Sequence, residues 1–429
     1  MHPDSYTAPS ARPGSKFKCN GWNAKETKSA GLGKNCLIDL SSRGRMHSSF
    51  ATIVRRAVRV WIVVGLSAMG FARERGPRVE VVCPFPPVPV RIDQQQVLVY
   101  ELHVTNFDTV PLTLKRLDIF ANEDGSSPLS TLAGDSLAAA MIRVGSAGSG
   151  AGKDTPTTDP GGRSVVFVWI DLPSNRALPT GLRHRMVFSA TADPDSPGAT
   201  LEDFQVPVSR DPVPTLSPPF NGGIWVAGDG PDNSSLHRRT ITAIDGHIYS
   251  AERFAIDWVK VGPNGDSHHD GTTRNENWWG YGEPVLAVAN GEITEVVDGI
   301  PDNTPRNLPP VTLDNIAGNH VILQIGPTRY VTYAHLENGS VKVRLHERVR
   351  QGAALALLGN SGNTTGAHLH LQVTDRSSVL QSEGVPFVFP SFTYLGPGSE
   401  YEVDKHVSVP WVNSIPPGNA VIEFEPVRK

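Results

Sequence analysis

The sequence predicts an all-β protein, and three observations support that class. The 429 residues include 41 glycines and 36 prolines, well above the usual shares of about 7% and 5%. That excess is unfavourable for long helices and typical of a chain with many turns. Apolar and polar side chains alternate at 98–104, and other short Val- and Ile-rich runs are separated by turn residues. Hydrophobic residues make up 39% of the chain, which is enough for hydrophobic cores.

Charge and cysteine content exclude several function classes. The chain has 39 Lys and Arg against 43 Asp and Glu, a formal net charge of −4. We therefore expect no nucleic-acid binding and no polybasic membrane binding. Its three cysteines, Cys19, Cys36 and Cys83, are too few for a disulfide scaffold or a cysteine-built zinc finger.

The N-terminal region is predicted to contain an export signal. Three arginines precede an apolar run at 60–71, which is followed by a small-x-small pattern at 70–72. The run is shorter than the ~20 residues that a spanning helix needs. We predict a signal peptide at 46–72 and a periplasmic or secreted protein, in contact with the membrane only if that segment stays uncleaved. Residues 1–45 are polar and aperiodic, and are predicted to be disordered or to precede the true start.

The rest of the chain is predicted to form two β domains. Short strands separated by Pro, Asn, Asp and Gly predict an immunoglobulin-like β-sandwich at 78–210, with a flexible loop at 145–162 and no chemistry of its own. A Pro-, Gly-, Asn- and Ser-rich linker is predicted at 211–235. The second domain, at 236–376, holds nine of the fourteen histidines, and the tail at 377–429 is predicted to pack on it.

Three sequence elements in the second domain carry candidate metal chemistry. His368 and His370 lie at i and i+2, so on a strand both would point to one face. His335 ends a β-patterned run, and Asp257 is the only acid in the apolar run RFAIDWV. Each has a structural alternative: surface histidines, a strand-end hydrogen bond, or an aspartate that caps a turn. Together, one carboxylate and three histidines on glycine-bounded strands favour a zinc site.

Four ordered segments then resemble the LytM/lysostaphin-type zinc peptidases, which cut peptide cross-links in bacterial cell walls. They are YGEPVLAVANGEI at 281–293, GNHVILQI at 318–325, TYAHLENGSVKV at 332–343 and GAALALLGNSGNTTGAHLHLQV at 352–373. The resemblance covers about residues 250–375. It implies a LytM-like β domain, Zn²⁺ as the cofactor and peptidoglycan peptides as the substrate.

The resemblance also implies roles for individual residues. Asp257 and His370 would be zinc ligands. His335 and His368 would be the pair that orients and deprotonates the attacking water and stabilises the oxyanion.

One position departs from the family pattern. The family's first ligand is a histidine four residues before the aspartate, and this chain has Arg253 there. Arginine stays protonated and cannot bind zinc, and two protein ligands rarely hold the ion. The predicted replacement is His268 or His269, in an insertion at 262–280, with His247 as a further candidate.

The leading interpretation is a zinc metalloendopeptidase that hydrolyses peptide bonds of peptidoglycan cross-links through a zinc-activated water. The alternative is a degenerate, non-catalytic LytM-like module that binds the cell wall or regulates another wall hydrolase. The enzyme needs a third donor beside Asp257 and His370, whereas the regulator predicts an ion pair between Arg253 and Asp257. An interaction protein that works through 78–210 is a third class.

Overall fold

The computed structural model describes residues 76–123, 125, 127–145, 156–173, 175–190, 198–398 and 407–426. The predicted extension at 1–45 and the predicted signal at 46–72 lie outside the described residues, as does most of the predicted loop at 145–162. Within the described part of the chain, no helix is long and apolar enough to cross a membrane.

The N-terminal sandwich, residues 76–210, consists of two sheets. The first sheet contains β1 (Val79–Val82), β2 (Val90–Ile92), β3 (Gln95–Asn106), β6 (Met141–Arg143) and β8 (Arg163–Leu172). Its order is β1-β3-β8-β6, with β2 also paired to β3, and all its pairings are antiparallel.

The second sheet covers one face of the first. It contains β4 (Leu112–Ala121), β5 (Ser130–Ala133), β7 (Thr157–Thr158), β9 (Gly181–Ala190) and β10 (Ala199–Pro207), in the order β10-β9-β4-β5 with β7 beside β4. Helix α1 (Gly134–Ala139) connects β5 to β6. Leu98 and Val166 of the first sheet share a core with Leu117 and Met186 of the second. The region is therefore a two-sheet sandwich, and its immunoglobulin-like connectivity stays a prediction.

The C-terminal β domain, residues 211–426, is built on one antiparallel sheet of ten strands. The strands are β11 (Gly223–Gly228), β14 (Ile256–Lys260), β16 (Gly291–Val297), β17 (Asn319–Gly326), β18 (Arg329–Leu336), β19 (Arg348–Val349), β21 (Leu369–Thr374), β22 (Phe389–Pro397), β23 (Val409–Ser414) and β24 (Ala420–Phe424). Their order is β19-β16-β17-β18-β21-β14-β11-β24-β22-β23. The segment predicted as a linker thus contains β11, inside the sheet, and the predicted tail contributes β22, β23 and β24.

Smaller elements surround this sheet. β12 (Thr242–Ile244) and β13 (His247–Tyr249) form a hairpin, and β15 (Pro284–Leu286) pairs with β20 (Ala354–Leu357). Helix α2 (Leu236–Arg239) follows β11, and a 3₁₀ turn occupies Asn275–Asn277. The hairpin separates α2 from β14 along the chain.

Strand β3 is buried on both faces. Leu98 and Tyr100 point into the core of the sandwich, whereas Val97 and Val99 belong to the core of the C-terminal β domain. Because side chains alternate along a strand, Glu101 lies on the same face as Val97 and Val99, and it is 0% exposed. The two domains therefore share an apolar interface that contains a buried carboxylate.

Candidate metal centre

Four neighbouring strands bring two of the predicted ligands together. Gly228 of β11, Asp257 of β14, His370 of β21 and Ala334 of β18 lie side by side in the sheet register. Residues paired in register point to the same face of a sheet. The Asp257 carboxylate and the His370 imidazole accordingly meet, with Oδ1 of Asp257 2.9 Å from Nδ1 of His370.

His368, which directly precedes β21, reaches the same carboxylate. Its Nε2 lies 3.4 Å from Oδ2 of Asp257. This nitrogen is buried and has no hydrogen-bond partner within the described part of the chain. A buried nitrogen without a partner is costly unless something else satisfies it, and here it faces the Asp257 carboxylate.

His335 faces the site because β18 contains a β-bulge. Ala334 and His335 together lie opposite the single residue His320 of β17. In a regular strand, His335 would point to the face opposite Ala334. The bulge, with a φ of 63° at His335, lets both residues line the same cavity. The His335 ring centre lies 4.8 Å from that of His368.

The sequence reasoning missed a further donor, His237 of α2. Its Nε2 lies 3.4 Å from Oδ2 of Asp257, and the ligand atoms of His237, Asp257 and His370 all lie within 4.8 Å of one another. Ligand atoms that are about 2.1 Å from a tetrahedral ion lie about 3.4 Å apart, which is the distance between His237 and Asp257. Because the hairpin β12–β13 separates His237 from Asp257 along the chain, no short spacing motif contains both residues.

Hydrogen bonds set the tautomers of three rings. In each, Nδ1–H donates to a backbone carbonyl: His237 to Asp229 at 3.0 Å, His335 to Ser361 at 2.8 Å and His368 to Gly366 at 2.9 Å. A carbonyl oxygen can only accept, so Nδ1 carries the proton and Nε2 keeps a lone pair. Such partners orient metal-binding imidazoles.

His370 has the opposite arrangement. Its Nε2–H donates to Oε1 of Gln372 at 3.0 Å, and the Gln372 amide is itself held by donation to the Val379 carbonyl at 2.8 Å. Nδ1 of His370 is therefore the nitrogen that faces Asp257 and would face a metal ion. Gln372 fixes this orientation.

The charges of the cluster are strongly coupled. Burial alone would raise the pKa of Asp257, but His237, His368 and His370 lower that pKa well below its ordinary range. Burial alone would lower the pKa of His370, but the hydrogen bond and charge of Asp257 raise it to about 9. The pKa of His335 lies well below its ordinary value, mainly because the ring is buried and also because His368 and His370 are close to it. The metal-free cluster thus contains an Asp257–His370 ion pair and a neutral His335.

The donor set fits a zinc ion. It offers two imidazole nitrogens and a carboxylate oxygen, the kinds of ligand that zinc takes in three-ligand catalytic sites. A cavity of about 480 Å³ opens over the cluster and is lined by all five residues, His237, Asp257, His335, His368 and His370.

Arg253 lies apart from this cluster. Its Nε–H donates to Glu101 at 2.9 Å, one Nη–H donates to Glu383 at 2.6 Å, and another donates to the Gly384 carbonyl at 2.7 Å. The Arg253–Asp257 ion pair expected for a regulatory module is therefore not formed, because the carboxylates of Glu101 and Glu383 bind the guanidinium instead.

The predicted replacement ligands also lie elsewhere. The His268 ring packs 5.6 Å from Trp278 and the His269 ring packs 4.7 Å from Trp279. Neither lines the cavity over the cluster. His247 is exposed on the hairpin strand β13. The structure thus brings together Asp257, His335, His368 and His370 with His237, and not with these three histidines.

Comparison with known proteins identifies the family of this region. Residues 269–382 match the model of peptidase family M23. Over 60 residues the chain is 38% identical to the peptidoglycan DD-endopeptidase ShyA of Vibrio cholerae. That alignment covers 14% of this chain and 14% of the relative, so the chain spans only a small part of the curated protein that it matches.

Solved structures of the same family are also similar over parts of the chain. A variant of the catalytic domain of the prophage-encoded M23 protein EnpA from Enterococcus faecalis aligns at 16% identity and a TM-score of 0.23, covering 40% of this chain and 94% of that one. The catalytic domain of lysostaphin from Staphylococcus simulans aligns at 17% identity and a TM-score of 0.20, covering 38% and 88%.

The family match includes three of the clustered histidines, His335, His368 and His370. It does not include His237 or Asp257, because both precede residue 269, where the match begins. The part of the chain that matches peptidase family M23 is thus the histidine-bearing stretch of the C-terminal β domain.

Proposed function

We propose that this protein is a zinc metalloendopeptidase that hydrolyses peptide bonds in peptidoglycan cross-links. The observation that carries the proposal is the third donor, because His237 joins Asp257 and His370 within reach of one ion. The match of residues 269–382 to peptidase family M23 supports peptidase activity. The wall substrate is inferred from the similarity to ShyA, whose name describes a peptidoglycan endopeptidase.

His237, Asp257 and His370 would hold the zinc ion. When bound, zinc supplies Lewis-acid polarisation of a carbonyl oxygen and lowers the pKa of water. The protein's own part is to present Nε2 of His237, a carboxylate oxygen of Asp257 and Nδ1 of His370 together. The backbone carbonyl of Asp229 and the side chain of Gln372 hold the two imidazoles in the required tautomers.

His335 is the proposed general base. Its depressed pKa keeps the imidazole neutral near pH 7, and its Nδ1–H bond to Ser361 leaves Nε2 able to accept a proton. In the reaction, Nε2 takes one proton from the attacking water as its oxygen bonds to the scissile carbonyl carbon. The same nitrogen then returns that proton to the leaving amine as the C–N bond breaks.

His368 is proposed to assist at the oxygen of the scissile carbonyl. Its buried Nε2 has no hydrogen-bond partner among the described residues and lies in the same cavity as His335. Once protonated, this nitrogen can donate to the negative charge that develops on the carbonyl oxygen, a stabilisation that is strongest in a water-poor site.

Zinc content and wall digestion together test the proposal. The purified chain is equilibrated with trace zinc, and zinc per chain is counted by mass spectrometry for the wild type, His237→Ala and His268→Ala. We expect about one zinc in the wild type and in His268→Ala, little in His237→Ala, and release of wall peptides by the wild type. Absence of zinc from the wild type, or zinc without hydrolysis, would instead favour the non-catalytic wall-binding or regulatory module.

We also propose that the protein acts outside the cytoplasm, where wall peptides are found. The proposal is supported by the arginines and the apolar run at 60–71 within the predicted signal segment 46–72. N-terminal sequencing of the exported protein should begin near residue 73, and an intact Met1 terminus on active protein would contradict it.

A further inference from the structure

A carboxylate of the N-terminal sandwich lies between two arginines of the C-terminal β domain. Glu101 of β3 forms ion pairs with Arg238 and Arg253. All three side chains are at most 1% exposed. Arg253 also pairs with Glu383 at 2.6 Å, so two guanidinium groups meet two carboxylates away from water. Removing one member of such a group leaves an uncompensated buried charge.

Arg238 directly follows the candidate ligand His237. Besides its ion pair with Glu101, its Nη2–H donates to the carbonyl of Tyr100 in β3 at 2.8 Å. Its guanidinium lies 5.0 Å from the ring centre of Phe167 in β8. Among the described residues, the polar and aromatic partners of Arg238 thus all belong to the N-terminal sandwich.

Other residues of the segment 233–239, called here the His237 turn, also bind the sandwich. The amide of Asn233 donates to the Phe167 carbonyl at 3.0 Å, and Nη2–H of Arg239 donates to the Ala139 carbonyl at 2.6 Å. The Arg239 guanidinium also lies 5.1 Å from the Phe167 ring centre. Helix α2 has only 4 residues, and a helix of one turn has little stability of its own. The position of the turn is therefore set by its neighbours.

We infer that the N-terminal sandwich completes the metal site. Glu101 is a positioning residue: it holds Arg238, and through the adjoining backbone it holds the His237 imidazole against Asp257 and His370. The inference rests on the proposed function, because it concerns the same zinc site. Its physical reason is that a ligand displaced by even a fraction of an ångström binds metal less well, and groups that orient ligands are usually worth about 10–100-fold in metal affinity.

The sandwich offers a matched control in Asp118 of β4. This carboxylate is 1% exposed and binds two arginines, Arg116 and Arg185, but it has no described contact with the turn that carries His237. Glu101→Gln and Asp118→Asn each replace a buried carboxylate between two arginines with the amide of the same shape. Both should lower the melting temperature, so stability alone does not separate them.

The experiment measures zinc affinity of the full chain by competition with a chelator, beside thermal unfolding. We expect Glu101→Gln to weaken zinc binding about 10–100-fold and Asp118→Asn to leave it at the wild-type value. In a His237→Ala background, Glu101→Gln should have no further effect, because Glu101 acts through that ligand. An unchanged affinity in Glu101→Gln, an equal loss in Asp118→Asn, or a full further loss in the His237→Ala background would overturn the inference.

A milder variant covers the case in which Glu101→Gln does not fold. Arg239→Ala removes the contacts to Ala139 and Phe167, together with the bond from Nε–H to the Asn233 carbonyl, from a partly exposed side chain without leaving a buried charge. We expect weaker zinc binding in this variant too, and an unchanged affinity would overturn the inference. If the wild-type chain binds no zinc, the proposed function fails and the inference with it. Zinc binding by the wild type with unchanged variants refutes the inference alone.

Discussion

Changing the pH tests the Asp257–His370 pair directly. Burial alone would lower the pKa of His370, yet the hydrogen bond and charge of Asp257 raise it to about 9. The extra proton sits on Nδ1, 2.9 Å from Oδ1 of Asp257, and Nδ1 is the nitrogen that would face a metal ion. Zinc binding must therefore displace this proton.

The size of the effect follows from that pKa. With a pKa of about 9, His370 is neutral in about 0.1% of metal-free molecules at pH 6, about 1% at pH 7 and about 10% at pH 8. The apparent dissociation constant for zinc should fall about tenfold for each pH unit over this range, or about 1.4 kcal/mol per unit.

Two measurements check this prediction. Chelator competition at pH 6, 7 and 8 gives the slope, after correction for the chelator's own titration. Calorimetry in buffers of different ionisation enthalpy counts the protons released. His268→Ala is the control and should show the wild-type slope, because His268 lies against Trp278 outside the cluster. A change of less than about threefold between pH 6 and pH 8 would refute the reasoning, since it would mean that His370 is already neutral.

Four further predictions follow. The raised pKa of His370 stabilises the metal-free fold, fully below the unfolded pKa of about 6.5, and this stabilisation is lost as the pH rises through about 9. The metal-free melting temperature should therefore be lower at pH 10 than at pH 7, and equal values would contradict the ion pair. His335→Ala should keep its zinc by mass spectrometry and lose about 10²–10⁴-fold in wall-peptide hydrolysis, and loss of zinc would place His335 among the ligands instead. Gln372→Ala removes the acceptor for Nε2–H of His370 and should weaken zinc binding about tenfold in chelator competition, so wild-type affinity would argue against its orienting role. Tyr100→Phe leaves Nε2 of the buried His184 without the hydroxyl now 2.7 Å away and should lower the free energy of unfolding by about 1–3 kcal/mol in denaturant titration, whereas no loss would mean that another group satisfies this nitrogen.

Local patterns predicted much of the β structure and part of the cluster. The alternation at 98–104 lies in β3, and the i, i+2 spacing of His368 and His370 placed both beside Asp257. These features depend on the strand period, which neighbouring residues reveal. The family resemblance is confirmed by the M23 match.

The remaining features depend on contacts between distant segments. His237 reaches the cluster because β11 pairs with β14 and α2 turns back beside it, and no short motif encodes that path. In β3, Glu101 occupies a polar position of an alternating pattern, and such positions usually face solvent. It is buried because a second domain covers that face. Arg253 likewise binds a carboxylate that lies 152 positions away in the sequence.

The bulge at Ala334 and His335 sets the stability of the sheet against the proposed catalytic role of His335. A non-glycine residue at a φ of 63° and the broken ladder beside it together cost about 1–3 kcal/mol. Redesign of β18 for thermal stability would favour a regular ladder at this point, and a regular ladder would turn His335 away from the cavity. Screens that select only for a higher melting temperature should therefore enrich inactive variants at these two positions, a local trade-off between stability and activity.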